Sequence, residues 1–284
     1  MPLRAETMRS IALAGRAALL LSLVAGNAGA QASDAPAEIG LPPGDEVVRR
    51  INARDEGEAS SRRVTMELID KRGGRRVRET HFVRRFFGDE KRTAIFYLSP
   101  MTIKGTAFLT WDHPEVGRDD DQWLYLPAVG RVRRISATDR GDYFLGTDLT
   151  YEDIKKETKV AAEDYSWKTI GEEVVDAHPC LLLESVPASE EISRELGYSR
   201  VVSAVDRGIW IMRKADYWDL AGRHLKTSLV SDIRQVDGIW TPHRIEVRNH
   251  RTGHKTVFTV ADVDYESGVD EDLLTQRALE RGLR

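Results

Sequence analysis

Residues 62–87 read "RRVTMELIDKRGGRRVRETHFVRRFF". Val64, Met66 and Leu68 alternate with Thr65, Glu67 and Ile69, and a period of two places alternate side chains on opposite faces of an extended chain. The spacing predicts a strand over 62–70, a turn at "KRGG" (71–74) and a long return strand over 75–87. An amphipathic helix would repeat every 3.6 residues instead. The fold class turns on this hairpin.

Outward from the hairpin the same rhythm continues. "RTAIFYLS" (92–99), "TAFLTW" (106–111), "QWLYLP" (122–127) and "RVRRIS" (131–136) read as strands, with Pro100, Gly105, Pro114, Gly117 and Gly130 between them. The second half adds strands at 165–174, 178–187, 200–206, 209–219, 223–236, 239–249 and 254–265, with "DRG", "DG" and "RTG" at the later turns. Helical spacing is confined to three places. Val47, Val48 and Ile51 predict one amphipathic helix that opens after Gly44 and ends near Gly57. "TDLTYEDIKKE" (147–157) predicts a short helix capped by Thr147 or Asp148, and 270–282 a last one. Ten or more strands with few helices predict a mainly β (α+β) domain, an antiparallel barrel or strongly curved sheet.

Residues before 44 read differently. Arg4, Arg9 and Arg16 precede or flank the apolar run "AALLLSLVAG" (17–26), and "AGA" (28–30) supplies small residues for cleavage, so 1–30 reads as a secretory signal peptide. The run is shorter than the roughly 20 residues a membrane span needs. Residues 31–43, Pro-containing and polar, read as a flexible leader, and 44–284 as one domain. Removing 1–30 deletes three arginines and one glutamate from 42 basic and 46 acidic residues, which moves the formal charge from −4 to −6. That balance argues against nucleic-acid binding. Cys180 is the only cysteine, so no disulfide forms within one chain and none follows the apolar run to accept a lipid. A soluble, monomeric periplasmic protein is expected.

Catalytic signatures are missing from the sequence: there is no Gly-x-Ser-x-Gly elbow, phosphate-cradling loop, dinucleotide fingerprint or His-Glu-x-x-His. His250 and His254 in "HRTGH" straddle a hairpin turn without a third ligand. "DHPEVGRDDD" (112–121) offers Asp112, His113, Glu115, Asp119, Asp120 and Asp121 but lacks the spacing of an ordered calcium loop, and reads as solvated. No metal or cofactor is expected, and no pair of carboxylates stands out for hydrolysis. Arg76, Arg78 and Arg84 share a strand face with Thr80 and Phe82. That stripe suits lipid phosphates or an acidic partner, and equally a solvated outer face with cross-strand ion pairs. Phe96, Phe108, Trp111, Trp123, Tyr125, Tyr143 and Phe144 suffice to line a concave apolar surface, although core packing accounts for each one singly.

"YLSPMTIKGTAFLTWD" (97–112), "DDQWLYLPAVGRVRRIS" (120–136), "GTDLTYEDI" (146–154), "DGIWTPHRIEVRNHRTGHKT" (237–256) and "DEDLLTQRALERG" (270–282) resemble the outer-membrane lipoprotein-sorting-protein-like family, similar to periplasmic carriers of the LolA/LolB type. The resemblance covers about residues 45–284. It implies a half-open antiparallel β-barrel over a few short helices, an apolar cavity that shields acyl chains, no covalent chemistry and no cofactor. It also implies association with exporters of the resistance-nodulation-division type. The carriers' lid-locking arginine is not placed by motif, because Arg49, Arg50 and Arg54 compete for it.

Two functions follow as expectations. In the first, a periplasmic carrier binds lipid or lipoprotein acyl chains against Phe96, Leu98, Phe108, Trp111, Trp123, Tyr125, Tyr143, Phe144 and Leu145, with Arg131, Arg133, Arg134, Asp148 and Tyr151 meeting a headgroup or partner. In the second, a non-carrier accessory subunit docks on such an exporter through exposed Trp123 and Tyr125 flanked by arginines. A hydrolase with dispersed carboxylates is a distant third.

Overall fold

Two antiparallel meanders meet along one seam. The computed structural model describes residues 40–114, 118, 120–156, 160, 162 and 164–283, so the expected signal peptide, most of the leader, Glu115 and Asp119 lie outside the described residues. The first meander is β1 (Ala59–Ile69), β2 (Arg75–Phe87), β3 (Glu90–Ser99), β4 (Ala107–Asp112), β5 (Asp121–Leu126) and β6 (Arg131–Arg134). The second is β7 (Tyr165–Val175), β8 (His178–Pro187), β9 (Arg200–Asp206), β10 (Met212–Trp218), β11 (His224–Val236), β12 (Ile239–Asn249) and β13 (Lys255–Asp264). β1 pairs with β13, Met66 opposite Phe258, and so joins both meanders into one 13-stranded sheet. The sheet is antiparallel throughout, curved and unclosed, with β6 and β7 as its edges.

This order places a demand on the chain. β6 and β7 follow each other in sequence yet lie at opposite edges of the sheet, so the segment between them crosses the concave side. It carries α2 (Tyr151–Lys156). The other helices are α1 (Gly44–Asn52), α3 (Glu190–Leu196) and α4 (Gln276–Arg281). α1 buries Val47, Val48 and Ile51 against Leu181 and Leu183 of β8 and Val205 of β9.

β3 to β5 are covered on both faces. Ile95, Tyr97, Phe108 and Leu124 point inward to Phe144, Tyr151 and Ile154 of the crossing segment. Ala94, Phe96, Leu109 and Trp123 point outward beneath Leu274, Ala278 and Leu279 of the C-terminal segment. Strands buried on both faces need apolar residues at successive positions, which is why "TAIFYL" runs without alternation.

The hairpin 62–87 forms as the spacing predicts. Several local features differ from expectation, among them the first helix, which ends at Asn52 and not near Gly57. The short helix starts at Tyr151 and is capped by Thr150, not Thr147 or Asp148. α3 was not anticipated, although Ser189 caps it through Ile192 N and Gly197 ends it at φ 79°. Residues 209–211 form a turn before β10, with Trp210 at φ 55°. Among the described residues no helix is long and apolar enough to cross a membrane.

Because α4 packs over the outer aromatic layer that includes Trp123, its packing bears on the sheet beneath. Leu279→Ala, at a fully buried site, is expected to cost about 2–5 kcal/mol, read as a lower urea midpoint with an unchanged slope.

Candidate functional site

The crossing segment forms the floor of the site. Thr150 and Asp153 form a reciprocal cap: Asp153 N donates to Thr150 Oγ1 at 3.1 Å, and Thr150 N donates to Asp153 Oδ2 at 2.9 Å. This lodges a carboxylate inside the protein, where an isolated charge is costly. Lys226 of β11, itself fully buried, answers it: Nζ lies 2.7 Å from Asp153 Oδ2 and donates to Asp148 O at 2.8 Å. Tyr198 Oη also donates to Asp153 Oδ2, at 2.8 Å. Asp148 is held by Thr256 Oγ1 of β13 at 2.7 Å and by His254 Nδ1, just before that strand, at 2.6 Å.

The other side of α2 is tied to the first meander. Lys155 pairs with Asp120 and lies 2.8 Å from Glu152, and Lys91 Nζ of β3 donates to Lys155 O at 3.1 Å. Lys156 adds a contact to Glu152 at 3.2 Å. Desolvation works against ionising Glu152, but Lys155, Lys156 and Arg140 outweigh it and hold its pKa down at about 2. Burial works in the same direction on Asp112, and there it prevails over Lys91 and Lys155 to raise the carboxyl above its ordinary range. α2 is thus clamped between both halves of the sheet.

Beside this plug the concave side encloses a cavity of about 230 Å³. One wall is Leu149 and Ile154 of the plug, and the facing wall is Val201, Ala215, Val230, Ile245 and Phe258. Tyr165, Trp167 and Tyr217 add to its aromatic surface, and Trp240 is exposed to solvent. Charge gathers where α1 ends: Arg84 Nη1 is 3.5 Å and Arg54 Nη2 3.8 Å from Glu56. Burial lowers the Arg54 pKa despite the opposing pull of Glu56. Arg50 instead pairs with Glu46 at 2.6 Å and covers Trp210, and Arg49 is exposed, so of the three competing arginines only Arg54 lines the cavity.

None of the nine aromatic and leucine positions expected at the cavity lines it. Phe96 and Trp123 lie under α4 on the outer face, with Tyr125 partly buried beside them. Trp111 joins them, its ring 5.0 Å from that of Trp123 and its Nε1 donating to Leu274 O at 3.1 Å. Trp123 is therefore not an exposed docking residue. Leu98 is half-buried at the end of β3. Phe108 and Phe144 pack edge to face at 5.2 Å beneath the plug, Leu145 joins that layer, and the exposed Tyr143 accepts from Asn249 Nδ2 at 2.8 Å. Asp148 and Tyr151, expected at a headgroup or partner contact, are buried in the plug. Arg131 and Arg133 are exposed on edge strand β6, and Arg134 pairs with Asp121.

The expected polar clusters are also resolved. The face of β2 that carries Arg78, Thr80, Phe82 and Arg84 turns inward: Arg78 Nη1 donates to Leu145 O at 2.6 Å and Thr80 Oγ1 to Val64 O at 2.7 Å. His250 bonds Thr227, at 2.9 Å, while His254 holds Asp148, so the two do not converge. His113 bridges Glu90 and Asp121. Among the described residues no group of three or more His, Cys, Asp or Glu could hold a metal ion. The largest share of the lining that sequence reasoning missed comes from β9 to β13, where alternating apolar positions carried a signal.

Lys226→Met leaves Asp153 buried without its cation and should cost about 3–5 kcal/mol; adding Asp153→Asn should recover part of it, which a double-mutant cycle measures. The folded pKa of Glu152 lies below its ordinary 4.5, so its stabilisation is fully present above that value and is lost as pH falls toward about 2. Stability curves over this window should be flatter for Glu152→Gln than for the unaltered protein.

A family model described as an uncharacterized protein matches residues 89–281. No curated relative matches the chain in sequence. A domain from Vibrio parahaemolyticus, described as belonging to an outer membrane lipoprotein-sorting protein, superposes with a TM-score of 0.75 at 29% identity over 84% of this chain and 98% of its own. A DUF1329 family protein from Desulfovibrio piger gives 0.75 at 29% identity, over 82% and 96%. A LolA superfamily protein from Nitrosomonas europaea shares the fold, at 0.61 and 19% identity over 83% and 98%. The chain belongs to the family that this model describes, and its fold is similar to those of the outer-membrane lipoprotein-sorting domain, the DUF1329 protein and the LolA superfamily protein.

Proposed function

We propose that the protein is a periplasmic carrier that binds lipid, or the acyl chains of a lipoprotein, in the cavity and passes them between envelope partners without covalent chemistry. The observation that carries this reading is the cavity itself, whose walls are mostly apolar. Each methylene moved from water into such a space contributes roughly 0.8 kcal/mol, so binding needs no special polar group. The description of the Vibrio relative as a lipoprotein-sorting domain supports the same reading. Residues 1–30 act as the signal peptide that is removed, 31–43 as a leader and 44–284 as the carrier domain, a monomer. Arg54 is the arginine best placed to latch a cover over bound chains. The exporter-docking alternative loses its proposed anchor with the burial of Trp123.

The plug gives the cavity a fixed floor, so capacity depends on the sheet side. Delipidated protein should take up a fluorescent fatty acid saturably, and lipid should be found by mass spectrometry after native purification. Val230→Trp, which extends a partly buried wall residue into the cavity, should weaken uptake at least tenfold on the scale of lost methylene contacts with the melting temperature unchanged. No uptake and no copurified lipid would sink the carrier reading.

A further inference from the structure

Charge is distributed very unevenly between the two ends of the sheet. Because the strands are antiparallel, alternate turns lie at the same end. The β1–β2 turn exposes Lys71, Arg72, Arg75 and Arg76. The β3–β4 turn at the same end exposes Lys104, and the β5–β6 hairpin exposes Arg131 and Arg133. Beyond the seam, the β12–β13 turn adds Arg251 and the β10–β11 turn Arg223. These five hairpins span ten neighbouring strands, from β6 to β10 in sheet order. The opposite end is acidic, with Glu58, Asp89, Asp176, Asp237, Asp262 and Glu266 exposed. A chain with a net negative charge therefore presents a basic rim.

Four of the five hairpins also expose an apolar side chain. Met101 is 81% exposed, Leu220 53%, Val77 47% and Val129 44%. The tips are firm and adjoining. Asp70 Oδ1 accepts from Arg72 N at 2.7 Å and Gly74 N at 3.0 Å. A Cβ on Gly253 would stand 3.2 Å from Lys71 Cβ, and one on Gly105 3.3 Å from Pro127 Cγ, so neighbouring turns touch.

We propose that this rim docks the protein on an anionic lipid bilayer, with the cations on headgroup phosphates and Met101 and Leu220 entering the interface. Single apolar side chains spread among cations along an extended rim match a broad negative surface. A protein partner would call for a compact, desolvated anchor cluster, whereas the exposed apolar side chains of the rim stand on four separate turns. The rim ends before α3, where Glu190 and Glu191 face solvent, so contact is confined to the β6 to β10 arc. The inference does not depend on what the cavity holds.

The test is flotation of the exported, processed protein with phosphatidylcholine vesicles, with and without phosphatidylglycerol. Binding is expected only with phosphatidylglycerol and should fall steeply with salt. Arg72→Glu/Arg76→Glu/Arg131→Glu should weaken it by at least about a hundredfold, at roughly fivefold per cation. Met101→Ser/Leu220→Ser should weaken it at every salt concentration. Arg207→Glu/Arg234→Glu at the acidic end should leave it unchanged. If the reversal variant fails to fold, the corresponding Arg→Gln set provides the same readout. Equal binding to both vesicles, indifference to the rim substitutions, or binding to polyglutamate but to neither vesicle would overturn the proposal. Fatty-acid uptake measured alongside separates the two readings: uptake without flotation overturns docking alone, and flotation without uptake overturns the carrier reading alone.

Discussion

The whole interior depends on a topological constraint: two strands consecutive in sequence form opposite edges of an unclosed sheet, so the chain between them passes through the concave side. A connecting segment placed there would bury backbone and side-chain polar groups that water normally satisfies. The protein answers with charge-assisted bonds to strands on both sides. Lys226 and Thr256 reach the plug from the second meander, and Lys91 and Asp120 from the first. Such networks are costly if half-satisfied and specific if complete, which favours one seat for α2 over any other position in the curve of the sheet.

The cavity follows from this arrangement. The plug fills the space under β3 to β5, where Phe108, Phe144 and Tyr151 interlock, and leaves the space under β9 to β13 open. Its wall is therefore partly a helix fixed by ion pairs and partly the alternating inner positions of strands. Charged side chains line the cavity at the end of α1 and along the plug, beside the apolar strand positions. A mostly apolar lining with charged groups beside it suits an amphiphile.

The strands were legible because alternation is a local property, and β2, β8, β9 and β12 coincide with the runs that predict them. α3 carries local signals in Ser189 and Gly197, but this short helix sits between two strands. Less was legible at the site. Trp111, Trp123 and Tyr125 are aromatic and lie on successive strands, as cavity residues would, but α4 returns from more than a hundred residues away to cover that face. Asp148 and Tyr151 look like surface groups in a polar segment, and only the crossing of the sheet buries them.

By itself the sequence determined the fold class, the order and bounds of most strands, the hairpin turns and the family resemblance, because these rest on periodicity, turn chemistry and motifs read within short windows. Tertiary structure decided which face of each strand is inside, which aromatics are core and which line the cavity, and how cations from five separate turns gather at one rim. Those outcomes depend on the direction in which the sheet curves and on partners far apart in the chain. A period of two assigns a side chain to one of two faces; only the curvature and the segments packed on each face decide which of them encloses the cavity.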